Sequence, residues 1–202
     1  MKNLIAERTA MVAGFMAFAL IVMTTTGNML RQSSADEPTL VQIDSGKVQG
    51  TETNGVIAFK GIPFAQPPVG ALRWRAPQPV KPWEGVRDAT EFGPDAVQPP
   101  DLVPPGARIS EDCLYLNVWR PVSASDDPLP VMVWIYGGGF VKGGAVLYPR
   151  EALARQGIVI VTFNYRLGRL GFFAHPALAR EAPRDLRGNY GGLSERSKLA
   201  RV

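Results

Sequence analysis

The sequence is poor in two residue types that often carry chemistry, because it contains one cysteine, Cys113, and one histidine, His175. A single cysteine excludes a disulfide bridge within the chain. The alternating apolar pattern after Cys113 favours a small buried residue over a reactive thiol, and His175 is the only histidine that could activate it. A lone histidine between Ala174 and Pro176 is more often a packed or solvated side chain than a catalytic one.

Strong charge of either sign is also lacking. The net charge is +4, and it falls to +2 without the four charged residues of the first 35, which is too little to indicate nucleic-acid binding. The basic residues form no stripe interleaved with aromatic residues, as a single-stranded nucleic acid would need. They cluster late among acidic residues, as expected of a solvated tail: Arg180, Arg184, Arg187, Arg196, Lys198 and Arg201. We therefore expect no nucleic-acid partner.

No apolar run reaches the roughly 20 residues of a membrane span. The run from Ala10 to Met23 has 14 residues, follows Lys2 and Arg8, and precedes a Ser-Ser-Ala sequence with the small residues of a cleavage site. This order predicts a signal peptide over residues 1–35 and a secreted or periplasmic protein. Because Thr24 to Leu30 are also uncharged, a retained amino-terminal membrane anchor is the alternative.

The most informative segment is Val131 to Tyr136, six apolar residues that run directly into Gly137, Gly138 and Gly139. Such a run predicts a buried strand of a parallel sheet, and glycines at its end let the backbone present N–H groups to an anion. In acyl transfer that anion is the oxygen of a tetrahedral intermediate. The spacing fits neither the dinucleotide pattern nor the phosphate loop, so we expect no cofactor and no metal. A plain strand-to-loop turn is the alternative.

The remaining pattern indicates an α/β chain. We predict strands at 39–43, 47–51, 56–59, 113–119, 131–136 and 158–163, a helix at 148–156, and a turn with a short helix at 170–178. Residues 62–105 are rich in proline and hold interspersed aromatic residues, which predicts ordered coil wrapped on a core. The order of strand, glycine loop, helix and strand after residue 131 predicts a β-α-β unit of a parallel sheet.

Five longer motifs resemble one family. They are Phe59–Ala65 with Pro67–Gly70 and Leu72–Trp74, Ser110–Trp119, Val131–Phe140, Asn164–Gly168 and Gly188–Gly191. Over residues 40–191 the chain resembles the type-B carboxylesterases, the group that includes the cholinesterases. The resemblance implies the amino-terminal part of an α/β-hydrolase fold with an incomplete central sheet, small-molecule carboxylic ester substrates, and two oxyanion donors at Gly138 and Gly139. We assign residues 36–191 to this domain and residues 192–202 to a divergent tail.

The resemblance also implies a serine nucleophile, a histidine base and an acid that we do not find in the sequence. No Gly-x-Ser-x-Gly elbow occurs, and the segment around Ser194 lacks its final glycine. The family's catalytic histidine does not match His175. Without a nucleophile and base we expect the chain as written to be an inactive ester hydrolase. A non-catalytic cholinesterase-like binding module and a non-functional truncated product are the alternatives.

Two departures from the family bear on stability. Ala96 stands where the family has a cysteine bridged to the residue matching Cys113, so the loop between them is not cross-linked. Ser194 stands where the family has an aspartate, which leaves Arg166, a residue we expect to be buried, without its ionic partner. The last ten residues lose the apolar pattern, which is typical of a reading-frame break or a mispredicted gene end.

The resemblance also suggests a structural ion pair between Arg73 and Glu111, with two separate solvated charges as the alternative. In the family's strand order, the Val131 strand lies between the Ile158 strand and the strand that leads to the nucleophile. Without that last strand, the Val131 strand would be an exposed apolar edge. We therefore expect the isolated chain, expressed without its leader, to be insoluble or a poorly packed oligomer.

Overall fold

The computed structural model describes residues 38–103, 105–123, 127–147, 150–181 and 188–199, and the predicted signal peptide lies outside these ranges. The strands are β1 (Leu40–Ile43), β2 (Gly46–Gln49), β3 (Thr51–Thr53), β4 (Val56–Pro63), β5 (Val86–Asp88), β6 (Asp95–Ala96), β7 (Ile109–Ser110), β8 (Tyr115–Pro121), β9 (Val131–Trp134) and β10 (Val159–Phe163). The helices are α1 (Glu151–Ala154), α2 (Gly168–Gly171), α3 (Pro176–Glu181) and α4 (Tyr190–Leu199).

The principal sheet has five strands in the order β3-β4-β8-β10-β9. Its first three pairings are antiparallel, and β10 pairs with β9 in parallel, with Val161 opposite Val133. A parallel pairing needs a crossover, which the segment containing α1 provides. The predicted β-α-β unit is therefore confirmed, although α1 is shorter than the predicted helix. A second sheet has the order β1-β2-β5, and β6 pairs with β7.

The core lies around β8, whose even spacing of buried residues follows the pleat of the strand. Trp119 is completely buried with Ile160 and Ala154, while Leu114 and Phe163 belong to a neighbouring apolar cluster. A bulge interrupts the pairing of β4 with β8 between Phe59 and Ile62. At the bulge, Gly61 has a φ of +64°, and its N–H donates to the buried Asn117 side chain at 2.9 Å.

The prediction that the Val131 strand is buried is wrong. β9 is the edge strand of the described sheet, and Val131 and Met132 are 52% and 38% exposed. Only Val133 packs, half-buried, against the apolar cluster that contains Tyr136. The apolar run is typical of a strand inside a sheet, with a neighbour on each edge. Among the described elements, β9 has only one neighbour, β10, and its other edge is uncovered. The expected exposed apolar edge is thus confirmed for the described residues.

The proline-rich segment is coil for most of its length, as predicted, but it also holds β5, β6 and two short 3₁₀ turns. Its aromatic residues attach it to the sheets. The indole N–H of Trp83 donates to the Lys47 carbonyl at 3.0 Å, and that of Trp74 donates to the Arg169 carbonyl at 2.8 Å. Phe92 packs on the ring of Trp119. These contacts explain how a segment without regular hydrogen bonding stays ordered.

The carboxyl-terminal segment, whose sequence lacks an apolar pattern, is nevertheless helical in its described part. Residues 190–199 form the helix α4, and Ser194 is completely buried within it. The sequence gives no sign of this helix because its glycines and charged residues leave it without an apolar face. Within the described residues, no helix combines the length and the apolar composition needed to cross a membrane.

Candidate functional site

Two tyrosines that contact each other lie at the end of β9, and one of them, Tyr136, belongs to the segment that follows this strand. Tyr136 is buried, and its ring stacks on that of Tyr165 with 4.5 Å between centroids. The Tyr165 hydroxyl donates to the Tyr136 carbonyl at 2.9 Å. Burial raises the pKa of Tyr136, so its hydroxyl stays protonated at neutral pH. The tyrosine pair therefore fixes the start of the next segment, residues 137–144, which we call the glycine loop.

The glycine loop makes a tight turn around the Gly138 carbonyl. This oxygen accepts the N–H groups of Val141 at 3.1 Å and Lys142 at 3.2 Å. Gly138 has a φ of +137°, and a Cβ there would overlap the Lys142 carbonyl oxygen, so only glycine fits. Gly139 has a φ of +61°, but a Cβ at this position would meet no atom within 4 Å.

Two neighbouring backbone donors are left over by this turn. In the described part of the chain, neither the Gly138 nor the Gly139 N–H donates a hydrogen bond to another residue. Gly139 is exposed and Gly138 is partly exposed. Adjacent N–H groups that point out of a loop form a concavity suited to an anion. Gly138 and Gly139 thus lie together in the loop that follows the carboxyl end of β9, where both are accessible to solvent.

A buried polar cluster holds the far end of the glycine loop. The Asn164 side chain accepts the Ala145 N–H at 2.9 Å and donates to the Pro94 carbonyl and to Asp95 Oδ1, both at 3.0 Å. Asp95 Oδ2 is buried without a hydrogen-bond partner among the described residues. Burial raises the pKa of Asp95 to about 6, and the Asn164 hydrogen bond partly offsets this rise.

Sequence reasoning missed Asp95 and Gln98. Asn164 opens one of the five family motifs, but that motif gave no role for its side chain. Gln98 bonds the loop at Gly143, and both Asp95 and Gln98 follow Phe92-Gly93 in the proline-rich segment, where no period or motif marks them. Only the three-dimensional structure shows that these two residues, in and just after β6, lie beside the glycine loop.

Arg166 is buried among neutral acceptors. Its guanidinium donates to Ser194 Oγ at 3.1 Å and to the carbonyls of Arg75 and Tyr190, both at 2.9 Å. Burial lowers the pKa of Arg166 to about 10. No ion pair to Arg166 is found within the described residues, in line with the sequence departure at Ser194. Each nitrogen of the guanidinium therefore has a neutral acceptor, but its positive charge is not neutralised by a described residue.

Arg73 and Glu111 form a bidentate ion pair at one wall of a cleft. Both of its hydrogen bonds measure 2.6 Å, and these bonds raise the pKa of Arg73. The cleft has a volume of about 750 Å³ and is lined by Trp74, Gln98, Val141 and other residues. Through Val141, the glycine loop forms part of the wall of this cleft.

The remaining candidates do not assemble a catalytic group. Burial raises the pKa of Cys113 to about 12, which keeps the thiol protonated and unreactive. His175 is exposed, accepts the Ala177 N–H and stacks on Phe173. The Ser194 hydroxyl donates to the Tyr190 carbonyl at 2.8 Å and so is not bonded to the imidazole. Among the described residues, no three His, Cys, Asp or Glu side chains are grouped as a metal site requires.

Comparison with known proteins gives consistent matches. The profile of the Carboxylesterase family matches residues 37–195. The chain is 52% identical over 167 residues to fumonisin B1 esterase of Sphingopyxis macrogoltabida, 47% over 167 residues to para-nitrobenzyl esterase of Bacillus subtilis (strain 168), and 44% over 172 residues to acetylcholinesterase of Electrophorus electricus. These alignments cover 80%, 79% and 76% of this chain but only 31%, 33% and 26% of the relatives.

A solved structure of PNB esterase superposes with a TM-score of 0.74 at 43% identity, covering 81% of this chain and 34% of that chain. The chain thus spans about a third of the length of the relatives it matches.

Proposed function

Because this chain belongs to the carboxylesterase family, we propose that it serves the hydrolysis of small-molecule carboxylic esters, with Gly138 and Gly139 as oxyanion donors. Its fold is part of the α/β-hydrolase fold, as the resemblance implied. Its relatives are named for ester cleavage of quite different compounds, so we propose carboxylic esters as a class and no single substrate.

The observation that carries this proposal is the pair of unused N–H groups at Gly138 and Gly139. When a nucleophile attacks an ester carbonyl, negative charge develops on the carbonyl oxygen. Donors already aimed at that oxygen stabilise the transition state without having to reorganise, and each contributes about 3 kcal/mol. The turn around the Gly138 carbonyl holds the two donors in place before substrate arrives.

We propose further that these 202 residues do not hydrolyse esters by themselves. The sequence holds no Gly-x-Ser-x-Gly elbow. Ser194, the nearest approach to one, is buried, and its hydroxyl bonds the Tyr190 carbonyl and Arg166. Oxyanion donors lower a barrier only when a nucleophile and a base are present.

The place of action is proposed from the sequence alone. We propose secretion or export to the periplasm through residues 1–35, and contact with a membrane only where that segment is retained. A fusion of residues 1–40 to a reporter enzyme that is active only after export tests this directly. A fusion that is produced by the cell but shows no reporter activity would contradict the proposal.

A chimera tests the assigned donors. Residues 38–191 replace the matching third of para-nitrobenzyl esterase, and hydrolysis of p-nitrophenyl acetate is measured. We expect the chimera to be active and the 202-residue chain to be inactive. In the chimera, Gly138→Ala is expected to lower kcat about 100-fold or more, because its Cβ displaces the turn. Gly139→Ala keeps the N–H and meets open space, so a loss below about tenfold is expected.

Gly55→Ala is the matched control, because Gly55 also has a positive φ and open space around it but lies in the turn between β3 and β4. A Gly138→Ala chimera with unchanged kcat would remove the oxyanion assignment. If the 202-residue chain hydrolysed the ester and Ser194→Ala left this activity unchanged, the chain would hold a nucleophile other than Ser194, and the proposed inactivity would be wrong.

A further inference from the structure

The side chain of Gln98 makes a two-point contact with the backbone of the glycine loop. Its Nε2 donates to the Gly143 carbonyl at 3.0 Å, and its Oε1 accepts the Gly143 N–H at 2.9 Å. A further hydrogen bond runs from Nε2 to the Ala96 carbonyl at 3.2 Å. Gln98 is only 6% exposed. The amide thus pairs with the N–H and the carbonyl of one residue, much as a neighbouring strand would.

This contact replaces regular structure at a point where the loop has none. Gly143 has a φ of +123°, and a Cβ there would overlap the Tyr136 ring, so the backbone passes too close to the core to carry a side chain. Its N–H and carbonyl have no strand or helix to pair with. Because buried backbone groups left without partners are costly, a side-chain amide that satisfies both fixes where Gly143 lies.

The position of Gly143 affects the direction of one oxyanion donor, the Gly139 N–H, because Lys142 lies between Gly143 and the turn. Lys142, directly before Gly143, donates its N–H to the Gly138 carbonyl. That carbonyl shares a planar trans peptide with the Gly139 N–H, so the two groups point in opposite directions. When Lys142 draws the Gly138 oxygen into the turn, the Gly139 N–H is turned away from Lys142, out of the loop. The direction of this donor therefore depends on where Lys142 is held.

We propose that Gln98 is a positioning residue that fixes the direction of the Gly139 N–H through Gly143 and Lys142. The role rests on the proposed function, since the direction of a donor matters only where an oxyanion forms. Gln98 also belongs to the segment that lines the cleft beside Val141. The segment after β6 and the glycine loop are thus joined by hydrogen bonds at the edge of this cleft.

Hydrogen–deuterium exchange, read at single-residue resolution, tests the coupling in the 202-residue chain carrying Val131→Lys. This substitution places a charge on the exposed edge strand β9 and is expected to keep the chain monomeric, and the wild type for the comparison is this chain with Gln98 intact. In the wild type, the amides of Val141, Lys142 and Gly143 are hydrogen-bonded and exchange slowly. Gln98→Met keeps the length and burial of the side chain but removes all three of its hydrogen bonds. We expect exchange at Val141 and Lys142, whose N–H groups donate to the Gly138 carbonyl and not to Gln98, to become at least tenfold faster together with Gly143. Exchange in β8 is expected to stay unchanged.

Gln66→Met is the matched control, because Gln66 bonds the Pro79 carbonyl through an exposed amide far from the loop in sequence. It is expected to leave all three amides as in the wild type. Gln98→Glu, a second variant of the same shape, keeps the acceptor for Gly143 but faces two carbonyls with a carboxylate. At neutral pH it is expected to speed the same amides as Gln98→Met.

Faster exchange at Gly143 alone would overturn the proposal, since Gln98 would then be only a local partner. Wild-type exchange in Gln98→Glu would overturn it as well. So would a parallel rise in β8 in both variants, which would assign Gln98 to the stability of the core. None of these readouts involves ester hydrolysis, so an inactive chimera would refute the proposed function and leave the coupling between Gln98 and the loop intact.

Discussion

Each nitrogen of the Arg166 guanidinium donates a hydrogen bond, but no counter-charge is found among the described residues. Its partners are the Ser194 hydroxyl and two backbone carbonyls, and its lowered pKa reflects burial without an anion. A buried cation of this kind pays for desolvation and regains only neutral hydrogen bonds. Position 194 is the place where an anion would reach it, because Ser194 already bonds the guanidinium from α4.

Ser194→Asp is therefore expected to raise the free energy of unfolding by about 1–3 kcal/mol at neutral pH, because a charge-assisted bond replaces a neutral one. Since the new carboxylate gains a cationic partner, its pKa is lowered, and the gain is lost as the pH falls below about 4. Urea unfolding measures the change. In a double-mutant cycle, Arg166→Met must abolish the gain. A gain that persists without Arg166 would contradict the ionic explanation.

Because of Asp95, the free energy of unfolding is expected to fall as the pH rises from about 4 to about 6. Its pKa is raised to about 6, so the folded state binds a proton that the unfolded state releases near pH 4. Between these values the folded state is progressively penalised, by about 2 kcal/mol in all. Asp95→Asn removes the charge and is expected to match the wild type at pH 4 and exceed it at pH 7. Equal urea midpoints for the two proteins at pH 7 would contradict this.

At the scale of elements, the segment between β6 and β8 is tied down by contacts rather than by a covalent bond. Ala96 ends β6 and Cys113 precedes β8, and both are buried in the same apolar cluster. Both also line one small cavity. The chain between them carries Gln98 and the wall of the cleft. A cross-link at this point would hold the segment at its base.

Ala96→Cys is expected to form a disulfide with Cys113 under oxidising conditions and to stabilise the fold by about 3 kcal/mol, because the bridge restricts the unfolded chain. Thiol titration of the unfolded protein should find no free thiol, and the urea midpoint should fall on adding a reductant. The wild type with its single cysteine is the control and should show no response to the reductant. Two free thiols after oxidation would show that the two positions are not aligned for a bridge.

The elements that sequence patterns predicted are those marked within a few consecutive residues by an apolar run, a regular alternation or a group of glycines. The strands at β4, β8 and β10, and the glycines after β9, carry such local patterns. The exposure of β9 did not follow from its apolar run, because such a run specifies what a strand tolerates and not which strand lies beside it. It was predicted only from the strand order that the family resemblance implied. Gln98 could not be predicted, since its partner Gly143 lies 45 residues away and is contacted through backbone atoms.

At the scale of the whole molecule, the exposed edge at β9 dominates the expected behaviour. Val131, Met132 and Ile135 are large apolar residues at the surface, and no charged residue or proline interrupts them. Natural edge strands usually carry such residues to prevent pairing with other chains. The principal sheet of this chain therefore offers an edge on which another copy can add.

Val131→Lys is expected to increase the soluble, monomeric fraction of the chain expressed without residues 1–35, because a charge on the edge opposes strand addition. Size-exclusion chromatography with light scattering measures this fraction. Val86→Lys is the matched control, since Val86 is 54% exposed on the edge strand β5 of the smaller sheet and Val131 is 52% exposed. A monodisperse wild-type monomer, or an equal effect of both substitutions, would contradict the role given to β9.

The pairing of β4 with β8 also determines the order in which the molecule can be built. More than 50 residues separate Val56 from its partner Pro121, and the proline-rich segment lies between them. During synthesis, β4 leaves the ribosome before β8 and stays unpaired with it while the proline-rich segment is translated. Closing so long a loop before any core forms is slow. Nascent chains halted before residue 115 should therefore expose β4 to protease, and chains halted well beyond residue 163 should protect it.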